Sequence, residues 1–191
     1  MKTTLFLDTE TTGVSTTKSR LVSICWAVYD QDTQPVVREH RIVRPDGFTI
    51  PDDAARIHGI TTRIALKKGM PLVSVLEELN RDLERLGPQL YVGHNIAFDR
   101  PILLTEFSRA GLREKLSAVP TLCTMRTSTN ICRIPRWGGS GYKWPTLTEL
   151  HTHVFGVPHD GAHSAHGDVD ACARCFYELI RSGHLKFPGR S

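Results

Sequence analysis

Apolar residues come in short β-favouring runs in the first quarter of the chain and recur at helical spacing after it. The runs "TTLFLD" (3–8) and "RLVSICWAVYD" (20–30) predict two strands, and "VVREHRIVRP" (36–45) alternates enough to be a third at a sheet edge. Gly13 and the polar cluster of "TTGVSTTKSR" predict a turn between the first two. "PDDAARIHGI" (51–60) predicts a short helix that starts with Pro51 and two aspartates. In 71–87, Val73, Leu76, Leu79, Leu83 and Leu86 fall at helical spacing between Pro71 and Gly87, which predicts a helix packed on a sheet.

"QLYVGHNI" (89–96) returns to strand character, and "FDRPILLTEFSRAG" (98–111) predicts a helix closed by Gly111 with Pro101 in its first turn. A strand is expected around Thr121 to Met125, followed by the least regular stretch, "PRWGGSGYKWP" (135–145). "PTLTELHTHVFG" (145–156) predicts a helix, 157–167 a loop or a frayed helix start, and 168–183 a helix with Val169, Cys172, Phe176 and Leu179 as its apolar stripe. Strands first, then helices interleaved with strands, predict an α/β or α+β domain with a mixed sheet.

A length of 191 residues fits one domain. The formal charge of +4 suits a polyanionic partner as well as ordinary solubility. Cys25, Cys123, Cys132, Cys172 and Cys175 are odd in number and form no disulfide framework, so a reducing, cytoplasmic location is expected. Cys172 and Cys175 read as packed thiols. The chain opens directly into a strand pattern, and no apolar run has the length of a membrane span.

The acids carry the chemistry. Asp8 and Glu10 stand two apart on a predicted strand, so both side chains leave one face and can converge on a common ligand, while Thr9 and Thr11 leave the other. Asp99 stands at a predicted helix start, where it would serve equally as a cap. His163 and Asp168 are five apart across a glycine, which places them together only if His163 lies on a loop feeding the helix. Four carboxylates suit two hard cations, Mg²⁺ or Mn²⁺, held about 3.5–4 Å apart to stabilise the attacking and leaving oxygens of a phosphodiester. His163 would accept the proton of the attacking water near neutral pH.

The segments "FLDTETTG", "VGHNIAFDRPIL" and "HSAHGDVDA" resemble the three motifs of the DEDD superfamily of exonucleases. They match the branch with a histidine five residues before the last aspartate, which includes bacterial proofreading subunits and three-prime repair exonucleases. The resemblance spans nearly the whole chain. It implies a ribonuclease H-like α/β fold with a central mixed five-stranded sheet flanked by helices, over an exonuclease domain of 1–183 with a short tail of 184–191. It assigns Asp8, Glu10, Asp99 and Asp168 to two divalent cations and His163 to the general base.

The activity it implies is 3′-to-5′ release of nucleoside 5′-monophosphates, with DNA bearing a free 3′ end, single-stranded or frayed, favoured over RNA. By the same resemblance Thr9, Thr11 and Thr12 receive the terminal nucleotide and Asn95 matches the polar residue of the second motif. Phe98 packs on a base or in the core. His58 is placed near substrate or in a local helix-end interaction, and His166 at the helix start or on the substrate side. Arg126, Arg133, Arg136 and Lys143 surround Trp137, Tyr142 and Trp144, a composition that suits single-stranded nucleic acid or an anchored surface loop. An RNA-processing exonuclease and an inactive end-binding or polymerase-binding module are the competing readings. A homodimer and a polymerase or repair partner are left open.

Overall fold

The computed structural model describes residues 3–162 and 164–187. Five strands form one sheet in the order β3-β2-β1-β4-β5. β1 (Thr4–Thr11) pairs antiparallel with β2 (Leu21–Tyr29), which pairs antiparallel with β3 (Pro35–Ile42) at the edge. On its other side β1 runs parallel to β4 (Leu90–Gly93), and β4 parallel to β5 (Thr121–Cys123). The mixed five-stranded α/β architecture expected from the sequence is therefore present, with β3 at an edge.

Alternation along β1 builds the two cores. Leu5 and Leu7 face a cluster with Trp26 of β2, Leu76 and Leu79 of α3 (Leu72–Leu86) and Ile102 and Phe107 of α4 (Ile96–Arg109). Phe6 faces the opposite way, against Val169, Cys172 and Phe176 of α8 (Ala165–Arg181), and Leu185 and Phe187 pack on this side too. Cys172 and Cys175 are buried free thiols, as their apolar setting implied. No described helix is long and apolar enough to cross a membrane.

Several elements depart from the sequence reading. After α1 (Asp52–His58), a second short helix, α2 (Thr62–Lys68), was not expected, because only Ala65 of it is buried and no apolar stripe announces it. Its start is fixed instead by the Thr61 hydroxyl, which accepts from the Ile64 N–H. Val73 is not part of the buried stripe of α3: it is exposed, and Val75 packs in its place beside Leu76, Leu79 and Leu83. α4 starts at Ile96, two residues before the expected point, so Pro101 lies in its second turn rather than its first.

The segment after β5 folds as two single turns, α5 (Thr124–Thr127) and α6 (Thr129–Cys132), before the irregular stretch. That stretch is a hairpin: Pro135 bridges Tyr142, the Arg136 N–H donates to Gly141 O and the Lys143 N–H to Ile134 O. It leads into α7 (Leu147–Phe155), capped by a reciprocal pair in which Thr146 and Glu149 satisfy each other's backbone N–H groups.

Candidate active site

β4 pairs with β1 only as far as Phe6 opposite Val92. Asp8 and Glu10 therefore extend past the carboxyl end of β4, where the chain turns through Asn95 (φ 68°) into α4. A register shift between Glu10 and Thr11 ends the regular pairing of β1 with β2. Asp8 and Glu10 continue the face of β1 that bears Phe6, and α8 covers that face. Its first turn carries Asp168, and ligand atoms of Asp8, Glu10 and Asp168 lie within 4.8 Å of one another.

Asp99 approaches from α4 on the opposite face, where Thr9 meets it. The Thr9 N–H and hydroxyl both donate to Asp99 Oδ1, at 3.0 and 2.7 Å. Asp99 is buried and lies outside the 4.8 Å group, yet its charge acts on Asp8 more strongly than those of Asp168 and Glu10. The four acids named by the sequence are thus brought to one place by three elements.

Their crowding is electrostatically costly. Burial, and then the charges of Asp168 and Asp99, push the Glu10 carboxyl up to about 8. Burial raises Asp99 to about 7 against the opposing hydrogen bonds from Thr9. Asp8 is held well above the usual carboxylate range by burial and by its three acidic neighbours. A hard-oxygen donor set whose charges repel in this way fits divalent cations, which would offset the repulsion.

A cavity of about 350 Å³ opens beside Glu10, lined among others by Thr11, Gly13, Ile57, His58 and Phe98. Thr9 and Thr12 line it too, but the hydroxyls of this segment have internal partners: Thr9 holds Asp99, Thr11 donates to Gly13 O, and Thr12 accepts from the Arg20 N–H. His58 Nδ1 accepts from the Ile60 N–H, so the neutral ring carries its proton on Nε2. Burial holds its pKa below the ordinary value, partly opposed by the Thr11 backbone. The helix-end and cavity-lining roles of His58 coexist. Phe98 likewise touches both the cavity and the core, and Asn95 is exposed at the turn into α4.

His163 lies outside the described residues. His166 turns away to β3, where its Nε2 accepts from the Arg38 guanidinium, which also pairs with Asp170, and its ring lies near that of His40. Among the described residues, His159, to which the sequence reading gave no role, meets Asp168: its Nε2 is 2.9 Å from Asp168 Oδ1. Nothing in the periodicity signals this contact, since His159 belongs to a loop and lies nine residues away.

The sequence pattern of the family RNase_T, described as Exonuclease, matches residues 5–176. The chain belongs to this exonuclease family. The match runs from β1 through most of α8 and so contains all the acids of the site. No curated protein sequence matches the chain.

Among solved structures, E. coli Exonuclease I in complex with a dT13 oligonucleotide is similar, with a TM-score of 0.77 and 19% identity over 95% of this chain and 41% of that one. A product-bound exonuclease I has the same score and identity over 95% and 44%, and a complex of exonuclease I with the SSB C-terminus gives 0.76 and 18% over 95% and 41%. At these identities the likeness establishes the shared fold. This member of the family spans about two fifths of the length of those proteins.

Proposed function

We propose that the chain is a divalent-metal-dependent 3′-to-5′ exonuclease acting on DNA with a free, single-stranded or frayed 3′ end. The observation that carries this reading is the convergence of Asp8, Glu10 and Asp168 within 4.8 Å, with Asp99 acting on them from α4. Two Mg²⁺ or Mn²⁺ ions held by these acids would supply Lewis-acid stabilisation to the attacking and leaving oxygens. Asp8 and Glu10 provide carboxylates from one strand face, Asp168 provides one from α8, and Thr9 fixes the orientation of Asp99. His163 takes the role of base on motif spacing.

The cavity beside Glu10 is the proposed seat of the terminal nucleoside. Its lining is mainly apolar, with Ile57 and Phe98 offering surfaces for a base and His58 beside them. The hairpin is the proposed path of the strand behind it. Trp137 is fully exposed and Arg126 lies over the Trp144 ring at 5.4 Å, while Arg133 and Arg136 are exposed and Lys143 is paired with Glu149. Aromatic faces beside guanidinium groups bind single strands by stacking and phosphate contact. The base of the hairpin is tied to the site, because Pro145 O is 3.0 Å from His94, which directly precedes Asn95. A reducing, cytoplasmic setting is proposed with it, in keeping with five free cysteines.

The test is cleavage of 5′-labelled single-stranded DNA and matched RNA, with free or blocked 3′ ends, in Mg²⁺ or Mn²⁺. A metal-dependent ladder shortening from the free 3′ end of DNA, absent in Asp168→Ala, is the expected result. Stronger cleavage of RNA would replace the substrate, and no product from either polymer would replace the reading with that of an end-binding module.

A further inference from the structure

The loop between α7 and α8 returns His159 to the heart of the site. Its side chain is 4% exposed and its ring stacks obliquely beside His151, with centroids 5.7 Å apart, so little freedom to rotate remains. Nε2 faces Asp168 Oδ1 at 2.9 Å, and Nδ1 faces the Thr148 hydroxyl at 3.5 Å. An ionised carboxylate only accepts hydrogen bonds, so the proton of the neutral ring sits on Nε2. Nδ1 is then an acceptor, and the Thr148 hydroxyl, whose hydrogen rotates freely, is a donor of the right kind.

We propose that His159 is a positioning residue for Asp168, setting the rotation of that carboxylate for cation binding through the chain Thr148–His159–Asp168. The inference rests on the exonuclease reading of the site. It makes the first turn of α7 part of the support for a ligand on α8. Ligating carboxylates that are held by an outer partner keep their orientation when the cation leaves, and loss of such a partner typically costs about 10–100-fold in metal affinity. Among the described residues His159 touches the acids of the site through Asp168, and it is distinct from the residue assigned to take the proton of water.

The test is Mn²⁺ titration of the full chain, followed by electron paramagnetic resonance without nucleic acid, with thermal melting in EDTA as the control for folding. His159→Leu removes the donor, and His159→Gln keeps an amide N–H close to the position of Nε2. The expected result is about 10–100-fold weaker Mn²⁺ binding in His159→Leu, recovery to within several-fold of wild type in His159→Gln, and a smaller loss in Thr148→Val. Single-turnover cleavage by His159→Leu should approach the wild-type rate once Mn²⁺ is saturating.

Wild-type Mn²⁺ affinity in folded His159→Leu overturns the proposal, and so does a rate still depressed more than about 100-fold at saturating Mn²⁺, which would place His159 in the chemistry itself. If His159→Leu does not fold, His159→Asn, whose shorter amide stops short of Asp168, takes its place under the same criteria. Failure of the wild-type chain to bind Mn²⁺ would reject the exonuclease reading along with this inference, whereas binding by wild type and variant alike rejects the inference alone.

Discussion

Thr9 donates its backbone N–H and its hydroxyl to the same oxygen of Asp99, across a sequence separation of 90 residues. Strand alternation is what makes the contact: Asp8 and Glu10 face α8 while the residue between them faces α4. Hydrogen bonds to a buried carboxylate are worth about 1.5–3 kcal/mol each, and Thr9 also opposes the upward pull of burial on Asp99. Thr9→Val should therefore weaken Mn²⁺ binding and slow cleavage by about 10-fold or more, with Thr9→Ser close to wild type. Calorimetric metal titration of the two variants checks this, and equal affinities would detach Thr9 from the site.

The raised carboxyls give a signed pH dependence to the cation-free protein. Glu10 near 8 and Asp99 near 7 keep protons that the unfolded chain releases around its ordinary values of 4.5 and 3.8. The folded state binds more protons through that window, so stability falls as pH rises and the contribution is gone above about 8. His94 acts with the opposite sign: burial lowers it from 6.5 to about 4, so its contribution is complete above 6.5 and lost as pH falls through the folded value. The clean interval is therefore above pH 6.5. Melting temperature in EDTA should drop across it, Glu10→Gln should flatten the drop, and Mn²⁺ should stabilise more at its alkaline end. A flat profile in wild type would contradict the repulsion among the acids.

Glu106 holds the loop between β1 and β2. It is 1% exposed, and its Oε1 accepts from Arg20 Nε at 3.0 Å, Arg109 at 2.9 Å and the Leu21 N–H at 3.1 Å. Arg109 continues to the carbonyls of Thr17 and Ser19. Glu106→Ala leaves these donors without their shared acceptor and should cost on the order of 3 kcal/mol in urea unfolding. Because the same loop carries Gly13 and Val14 of the cavity wall, binding of short oligonucleotides should weaken more than Mn²⁺ binding.

Removal of the hairpin tip separates strand binding from metal binding. Trp137→Ala should weaken binding of single-stranded DNA by about 1–3 kcal/mol, the range for loss of one stacking partner, with Mn²⁺ affinity unchanged. Arg133→Ala with Arg136→Ala should reduce the salt dependence of binding, since each lost phosphate contact lowers the slope. Fluorescence anisotropy at several salt concentrations measures both, and unchanged DNA affinity in Trp137→Ala would take the hairpin out of the strand path.

Much of the site could be read directly. Asp8 and Glu10 share a face because a strand has a period of two, and Leu5, Phe6 and Leu7 around them settle that the segment is a strand. The helices that bring Asp99 and Asp168 carried their own signatures, in the apolar residues of α4 and the buried stripe of α8. Local periodicity encodes which side of an element is buried, and the three motifs together encode the family.

The partners across the interior were decided only by tertiary structure. Thr9 could not be assigned to Asp99, nor His159 to Asp168, because each contact joins residues whose local patterns are silent about distance in space. The start of α8 at Ala165 depended on the Gly161 turn: a Cβ at Gly167 would lie 2.4 Å from Gly161 O, so the helix begins where two glycines let backbones touch. Sequence spacing specifies faces through the geometry of one element; which faces meet is set by close packing among elements far apart in the chain, and that packing is what brings His159 to Asp168.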